Sequence, residues 1–153
     1  MRILGIRAEP RKIYITILDT ELKEVINLEA INVPLSLDMP GQLKYIRNTT
    51  LDIIREYNVE KAGIRLAEGN SQTIKIERIY TEAVIQEAFS SSPVESYFTG
   101  RKKSISSRLG ITTKQFDSYV RGQEGCDLVE GWPAKGNAAK KESILVALGA
   151  YVC

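Results

Sequence analysis

The sequence predicts an α/β fold, and three observations carry that prediction. Three β-rich runs precede any helical periodicity, a long amphipathic helix then leads into a short apolar run, and helical and extended segments share the remainder. A chain of 153 residues fits one domain over residues 1–153, able to bury a large core without disulfides or metals.

The first two runs are Arg2-Ile3-Leu4-Gly5-Ile6-Arg7 and Lys12-Ile13-Tyr14-Ile15-Thr16-Ile17-Leu18, joined by the break Ala8-Glu9-Pro10-Arg11. They read as a hairpin. Asp19-Thr20-Glu21 is a polar turn and Val25 to Ile31 a third strand, so the chain opens with an antiparallel meander. Val33-Pro34 ends the meander, and Met39-Pro40-Gly41 punctuates the loop that follows.

From Gln42 to Tyr57 the period changes: Leu43, Ile46, Leu51, Ile54 and Tyr57 recur at helical spacing and define one apolar face. Asn58 closes that helix. Lys61-Ala62-Gly63-Ile64-Arg65-Leu66 then reads as a buried strand parallel to the first, reached by a right-handed crossover. Glu68-Gly69-Asn70-Ser71 supplies a turn and candidate N-caps for a second helix through Ile76, Ile79, Val84 and Ala88. Ser90-Ser91-Ser92-Pro93 ends it, and Val94 to Phe98 is the fifth strand. Gly100 to Arg121 holds two short helices, the second capped by Thr112 or Thr113. Residues 122–137 contain Gly122, Gly125, Gly131, Pro133 and Gly136 and are expected to form a loop carrying Trp132. Asn137 to Val152 is the final helix.

Composition narrows the chemistry. With 43% hydrophobic and 26% charged residues the chain is of the globular type. No run of about 18 apolar residues is present, so no membrane partner is expected. Charges at Arg2, Arg7, Glu9, Arg11 and Lys12 interrupt any signal-peptide core, which makes the cytoplasm the expected location. In that compartment Cys126 and Cys153 are expected to be free thiols. The chain contains no histidine. That excludes Ser-His-Asp and Cys-His nucleophiles and histidine-bearing zinc sites, and two cysteines cannot complete a thiolate site. Acid, base or metal chemistry is left to carboxylates, Lys and Tyr.

The order of strands and helices resembles the ribonuclease H-like superfamily, and among its members the RuvC-like Holliday-junction resolvases. In that family the first strand ends Gly-Ile-Asp, where this chain has Gly5-Ile6-Arg7. The strand after the first long helix carries an Ala-Ile-Glu type motif, to which Ala62-Gly63-Ile64-Arg65 corresponds. The fifth strand is matched by Pro93-Val94-Glu95-Ser96-Tyr97, the basic segment by 101–121, and the acidic final helix by Lys140-Lys141-Glu142-Ser143-Ile144-Leu145-Val146-Ala147-Leu148. The resemblance implies a mixed five-stranded sheet, its first three strands antiparallel, with helices on both faces.

It also implies a site at which acids from the first strand, the fourth strand and the last helix hold two divalent cations for phosphodiester cleavage. Magnesium requires oxygen ligands. At two of the corresponding positions this chain has Arg7 and Arg65, which cannot ligate a cation, and only Glu142 keeps an acid. Arg7 and Arg65 could pair with Glu142, bind a phosphate through their planar forks, or simply reach solvent from the strand ends. The expectation is a catalytically degenerate domain without a cofactor, which binds DNA or RNA or acts as a subunit of a protein complex. The alternative is an active nuclease dependent on Mg or Mn, with a displaced carboxylate site of Glu9, Glu68 and Glu142. A homodimer is expected by family analogy alone.

Charge is uneven along the chain. Residues 1–100 carry 12 Lys and Arg against 14 Asp and Glu, and residues 101–153 carry 9 against 5. Arg101, Lys102, Lys103, Arg108, Lys114 and Arg121 are therefore the candidate nucleic-acid contacts, able to release counterions from a phosphate backbone. Tyr97, Phe98, Phe116, Tyr119 and Trp132 are candidate stacking platforms. A solvated helical face is the plainer explanation of such a charge run.

Overall fold

The isoleucine-rich opening runs become two interior strands of a five-stranded sheet in the computed structural model, which describes residues 1–69 and 73–152. β1 (Arg2–Glu9) and β2 (Lys12–Asp19) pair antiparallel, and β3 (Glu24–Asn32) pairs antiparallel with β2. α1 (Met39–Glu56) then crosses to β4 (Val59–Arg65), which lies parallel to β1. α2 (Ile76–Ser90) leads to β5 (Ser96–Gly100), parallel to β4. The sheet order is β3-β2-β1-β4-β5, and α3 (Lys102–Leu109), α4 (Thr113–Val120) and α5 (Ala138–Tyr151) follow. This is the mixed α/β sheet expected from the sequence, its first three strands antiparallel.

β1 and β2 are buried on both faces because helices cover both. Leu4, Ile6, Ala8, Ile13, Ile15 and Ile17 pack with residues of α1 and α2, among them Ile46, Ile54, Ile85 and Phe89. Ile3 and Leu18 point the other way, into a core with Ile105, Phe116 and residues 144–148. Each fully buried isoleucine contributes about 2 kcal/mol, so the sheet is held from both sides. β3, at the sheet edge, shows the alternating burial of a strand covered on one face.

Several element ends differ from those read in the sequence. Met39-Pro40-Gly41 is the first turn of α1 rather than loop: Asp38 caps the helix by accepting the Gly41 N–H at 2.9 Å. Pro40 is tolerated there because first-turn amides have no helical acceptor. The fifth strand runs Ser96–Gly100, two residues later than expected. Its ladder with β4 begins at Lys61 opposite Ser96. The Val94 N–H is instead directed to Ser92 Oγ at 3.3 Å. α2 has Lys75 at its N-cap, without a side-chain cap bond, in place of the acidic turn before it. Of those candidate caps, Asn70 and Ser71 lie outside the described residues, as does Cys153. Thr112 does cap α4, accepting from the Gln115 N–H at 3.0 Å.

The glycine-rich loop 122–137 is anchored to the start of β3. The Val25 N–H donates to Glu130 O at 2.9 Å and the Glu130 N–H to Lys23 O at 2.8 Å. Cys126 within it is a buried free thiol. Among the described residues no helix is long and apolar enough to cross a membrane.

Candidate functional site: two arginines on one glutamate

Three side chains from three elements meet at the carboxyl ends of β1 and β4. Arg7 and Arg65 are direct partners across those parallel strands, as are Gly5 and Gly63 two residues earlier. Strand periodicity puts all four on the face covered by α5. The glycines let the helix come down onto the sheet: a Cβ on Gly5 would stand 2.1 Å from the Ser143 carbonyl oxygen, and one on Gly63 would stand 2.9 Å from that of Val146. Thr16 and Ser143 share a hydroxyl hydrogen bond of 2.7 Å on the same face. The N-terminal half of α5 is thereby fixed over the strand ends, with Glu142 above the arginines.

Glu142 Oε2 lies 2.9 Å from Arg7 Nε and 3.1 Å from Arg65 Nε. Both distances are those of ion pairs, yet Oε2 and the Arg65 Nε have no aligned hydrogen-bond partner. Charge more than bond direction holds the triad. The Nη1 donors of both arginines are used nearby. Arg7 Nη1 donates to the Arg65 carbonyl at 3.0 Å. Arg65 Nη1 reaches the Glu68 carboxylate at 3.0 Å and the Leu66 carbonyl. The Arg65 guanidinium also sits 5.8 Å from the Phe116 ring centre. Arg7 is 8% exposed and Arg65 3%, so neither is a solvated strand end.

Behind this triad lies a second charged group that sequence reasoning missed. Glu82 of α2 is buried and accepts the Ala67 N–H at 2.9 Å, while Arg101 Nε donates to the Ala67 carbonyl at 3.0 Å. Burial pushes the Glu82 carboxyl up from its ordinary value, opposed by that N–H and by Arg7, Arg78 and Arg101. Burial likewise lowers Arg7; Glu142 opposes that shift, while Arg65 and Arg78 add to it. The available signal was positional, since Glu82 falls three residues before Ile85 and seven before Phe89 on the buried face of its helix.

The displaced carboxylate set does not assemble. Glu68 and Glu142 share Arg65, whereas Glu9 stands at the β1–β2 turn beside Arg11 and Lys12. Among the described residues no group of three His, Cys, Asp or Glu side chains is placed to hold a metal ion. The divalent cations that the fold resemblance implies do not fit here, because Glu142 Oε2 already lies between two guanidiniums.

Nor do the six basic candidates form one surface. Arg101 is tied to Ala67, near the carboxyl end of β4. Lys102 pairs with Asp117 at 2.7 Å. Arg108 stacks 3.6 Å from the Phe98 ring centre and donates to the Gly149 carbonyl at 3.2 Å, lining a groove with Leu18 and Thr20 from the opposite end of the sheet. Lys103, Lys114 and Arg121 are exposed. Of the stacking candidates, Phe98, Phe116 and Tyr119 are buried, Trp132 is half-buried against Tyr119, and Tyr97 is exposed.

The sheet order, the crossover and the position of α5 define a ribonuclease H-like fold. Within that class the arrangement is RuvC-like. The RuvC structure of Thermus thermophilus superposes with a TM-score of 0.73 at 12% identity, covering 99% of this chain and 94% of that one. RuvC of T. thermophilus in complex with a Holliday junction substrate gives 0.73 at 14% identity, covering 99% and 93%. The yeast mitochondrial Holliday junction resolvase Ydc2 gives 0.60 at 13% identity, covering 99% and 78%. No protein-family model and no curated protein matches the sequence.

Proposed function

We propose that this chain is a RuvC-like domain without a metal centre, which binds nucleic acid but does not cut it. The observation that carries this reading is the Arg7–Glu142–Arg65 cluster, which stands where the fold resemblance puts metal-binding acids. A site with two guanidiniums repels divalent cations and offers no carboxylate free to orient an attacking water. One neighbour in fold is a resolvase bound to its junction substrate, which supports a branched or duplex ligand for this chain. Exposed Lys103, Lys114 and Arg121 supply the cationic contacts.

The test has two halves. Four-way junction, duplex and single-stranded DNA and RNA are incubated with the protein in Mg or Mn; no cleavage is expected, and cleavage lost on changing Glu9, Glu68 or Glu142 would establish the alternative nuclease. Binding is then measured at low salt for wild type and for a variant with Lys103, Lys114 and Arg121 reversed to Glu. A loss of affinity and of salt dependence supports the nucleic-acid reading, and unchanged binding removes it.

A second reading, a subunit of a protein complex or a homodimer, is favoured by an apolar groove at the far end of the sheet. Leu18, Leu109, Leu128, Leu148, Tyr151 and Val152 line it, and Leu128, Tyr151 and Val152 are exposed. Light scattering of the purified chain and co-purification from its source test that reading.

A further inference from the structure

Lys141 is 3% exposed, and no hydrogen bond or ion pair joins its ammonium to another described residue. The Nζ is not one of the fully enclosed, unpartnered polar atoms, so the ammonium keeps a small contact with solvent. It borders a cavity of about 280 Å³ walled by Gly122, Gln123, Glu124, Trp132 and Pro133. The ammonium stands at the Gly122 wall: a Cβ on that residue would be 3.1 Å from Lys141 Nζ. Gly122 has φ +74°, a conformation that favours glycine and leaves the space beside the ammonium open.

The surrounding groups do not neutralise this charge. The amides of Gly122 and Gln123 donate to the Tyr119 and Ser118 carbonyls at 3.1 and 2.9 Å, so these two wall amides are already used. Glu124, the acid of the wall, is exposed and forms no ion pair with Lys141. Trp132, also in the cavity wall, is held against Tyr119, ring centres 6.0 Å apart and planes at 63°. An aromatic-walled cavity with one unpaired cation suits a ligand with one anionic group.

We propose that this cavity binds a small oxyanion, a phosphate or carboxylate group, with Lys141 as its anchoring cation. The site involves different side chains from the Arg7–Glu142–Arg65 cluster and stands whether or not the domain binds nucleic acid through its exposed lysines. A ligand that enters supplies the missing counter-charge, so occupancy stabilises the loop 122–134 as well.

The test is a titration followed by amide and indole NMR signals of Gly122, Gly125 and Trp132. The probes are inorganic phosphate, acetate, and a dinucleotide with either a 5′-phosphate or a 5′-hydroxyl. Wild type is expected to show saturable shifts with a Kd near 1 mM, on the order of weak single-anion binding. In Lys141→Met, with Lys141→Gln as the second variant, binding should weaken at least about tenfold. Saturation by phosphate or acetate alone identifies a free anion; saturation only by the phosphorylated dinucleotide identifies a nucleotide source. No saturable shift in wild type with any probe overturns the proposal, and so does undiminished binding in a folded Lys141 variant.

Discussion

Gly5 lies beneath the Ser143 carbonyl so closely that an added methyl carbon would be 2.1 Å from that oxygen. This approach sets the depth of α5 and hence the place of Glu142 over the strand ends. Gly5→Ala must push the helix away, at a cost of about 3 kcal/mol or more, the upper part of the overpacking range. Gly63→Ala, with its contact at 2.9 Å, should cost less. Chemical denaturation of the two variants measures the order, and an equal or smaller loss for Gly5→Ala would contradict the close approach.

Removing Glu142 leaves two buried guanidiniums facing one another. Glu142→Ala should lower stability by about 3–5 kcal/mol, the usual result of breaking a buried pair from one side. Replacing the whole set, with Arg7→Met, Arg65→Met and Glu142→Leu together, should come close to neutral. Thermal melts of the single and triple variants decide this, and a single variant as stable as wild type would mean that the triad holds no net charge balance.

Introducing acids at these positions should create affinity for metal. In Arg7→Asp combined with Arg65→Glu, three carboxylates converge where one carboxylate now sits between two cations. Without metal the variant should be less stable than wild type through like-charge repulsion, and Mg or Mn should raise its Tm while leaving wild type unmoved. Melting curves with and without chelator read this directly.

Glu82 predicts a stability change with a definite sign. Its folded pKa is raised by burial, although the Ala67 N–H and three arginines oppose the shift. The unfolded carboxyl therefore releases its proton at lower pH than the folded one. Its contribution is fully present below the unfolded pKa and is lost as pH rises through the folded value. Urea midpoints between about pH 4 and 7 should fall more with rising pH in wild type than in Glu82→Gln. A parallel pair of curves would show that the buried carboxyl carries no such shift.

Arg108 should act on stability rather than on binding. Its guanidinium is stacked on Phe98 and bonded to the Gly149 carbonyl. Arg108→Ala is expected to lose about 1–2 kcal/mol of cation–π and packing energy while leaving nucleic-acid affinity nearly unchanged. A large affinity loss at full stability would return Arg108 to the contact surface.

The sequence by itself determined the strand and helix order, because that order depends on local signals: β-rich apolar runs, the helical spacing from Leu43 to Ile54, and breakers between them. The resemblance to the RuvC-like family placed Arg7, Arg65 and Glu142 at one site, with their pairing left open beside phosphate binding and solvent exposure. Local signals failed where the deciding partner is distant. Pro40 reads as a breaker until Asp38 caps the turn around it, and Glu82 goes unnoticed in the sequence because its partner Ala67 lies on another segment. The six basic residues fall within the segment 101–121, yet the tertiary structure turns Arg101, Lys102 and Arg108 to three different internal partners. Only packing decided that the two arginines are buried on one carboxylate rather than solvated: their burial depends on α5 settling onto Gly5 and Gly63, a contact between residues well over 70 positions apart.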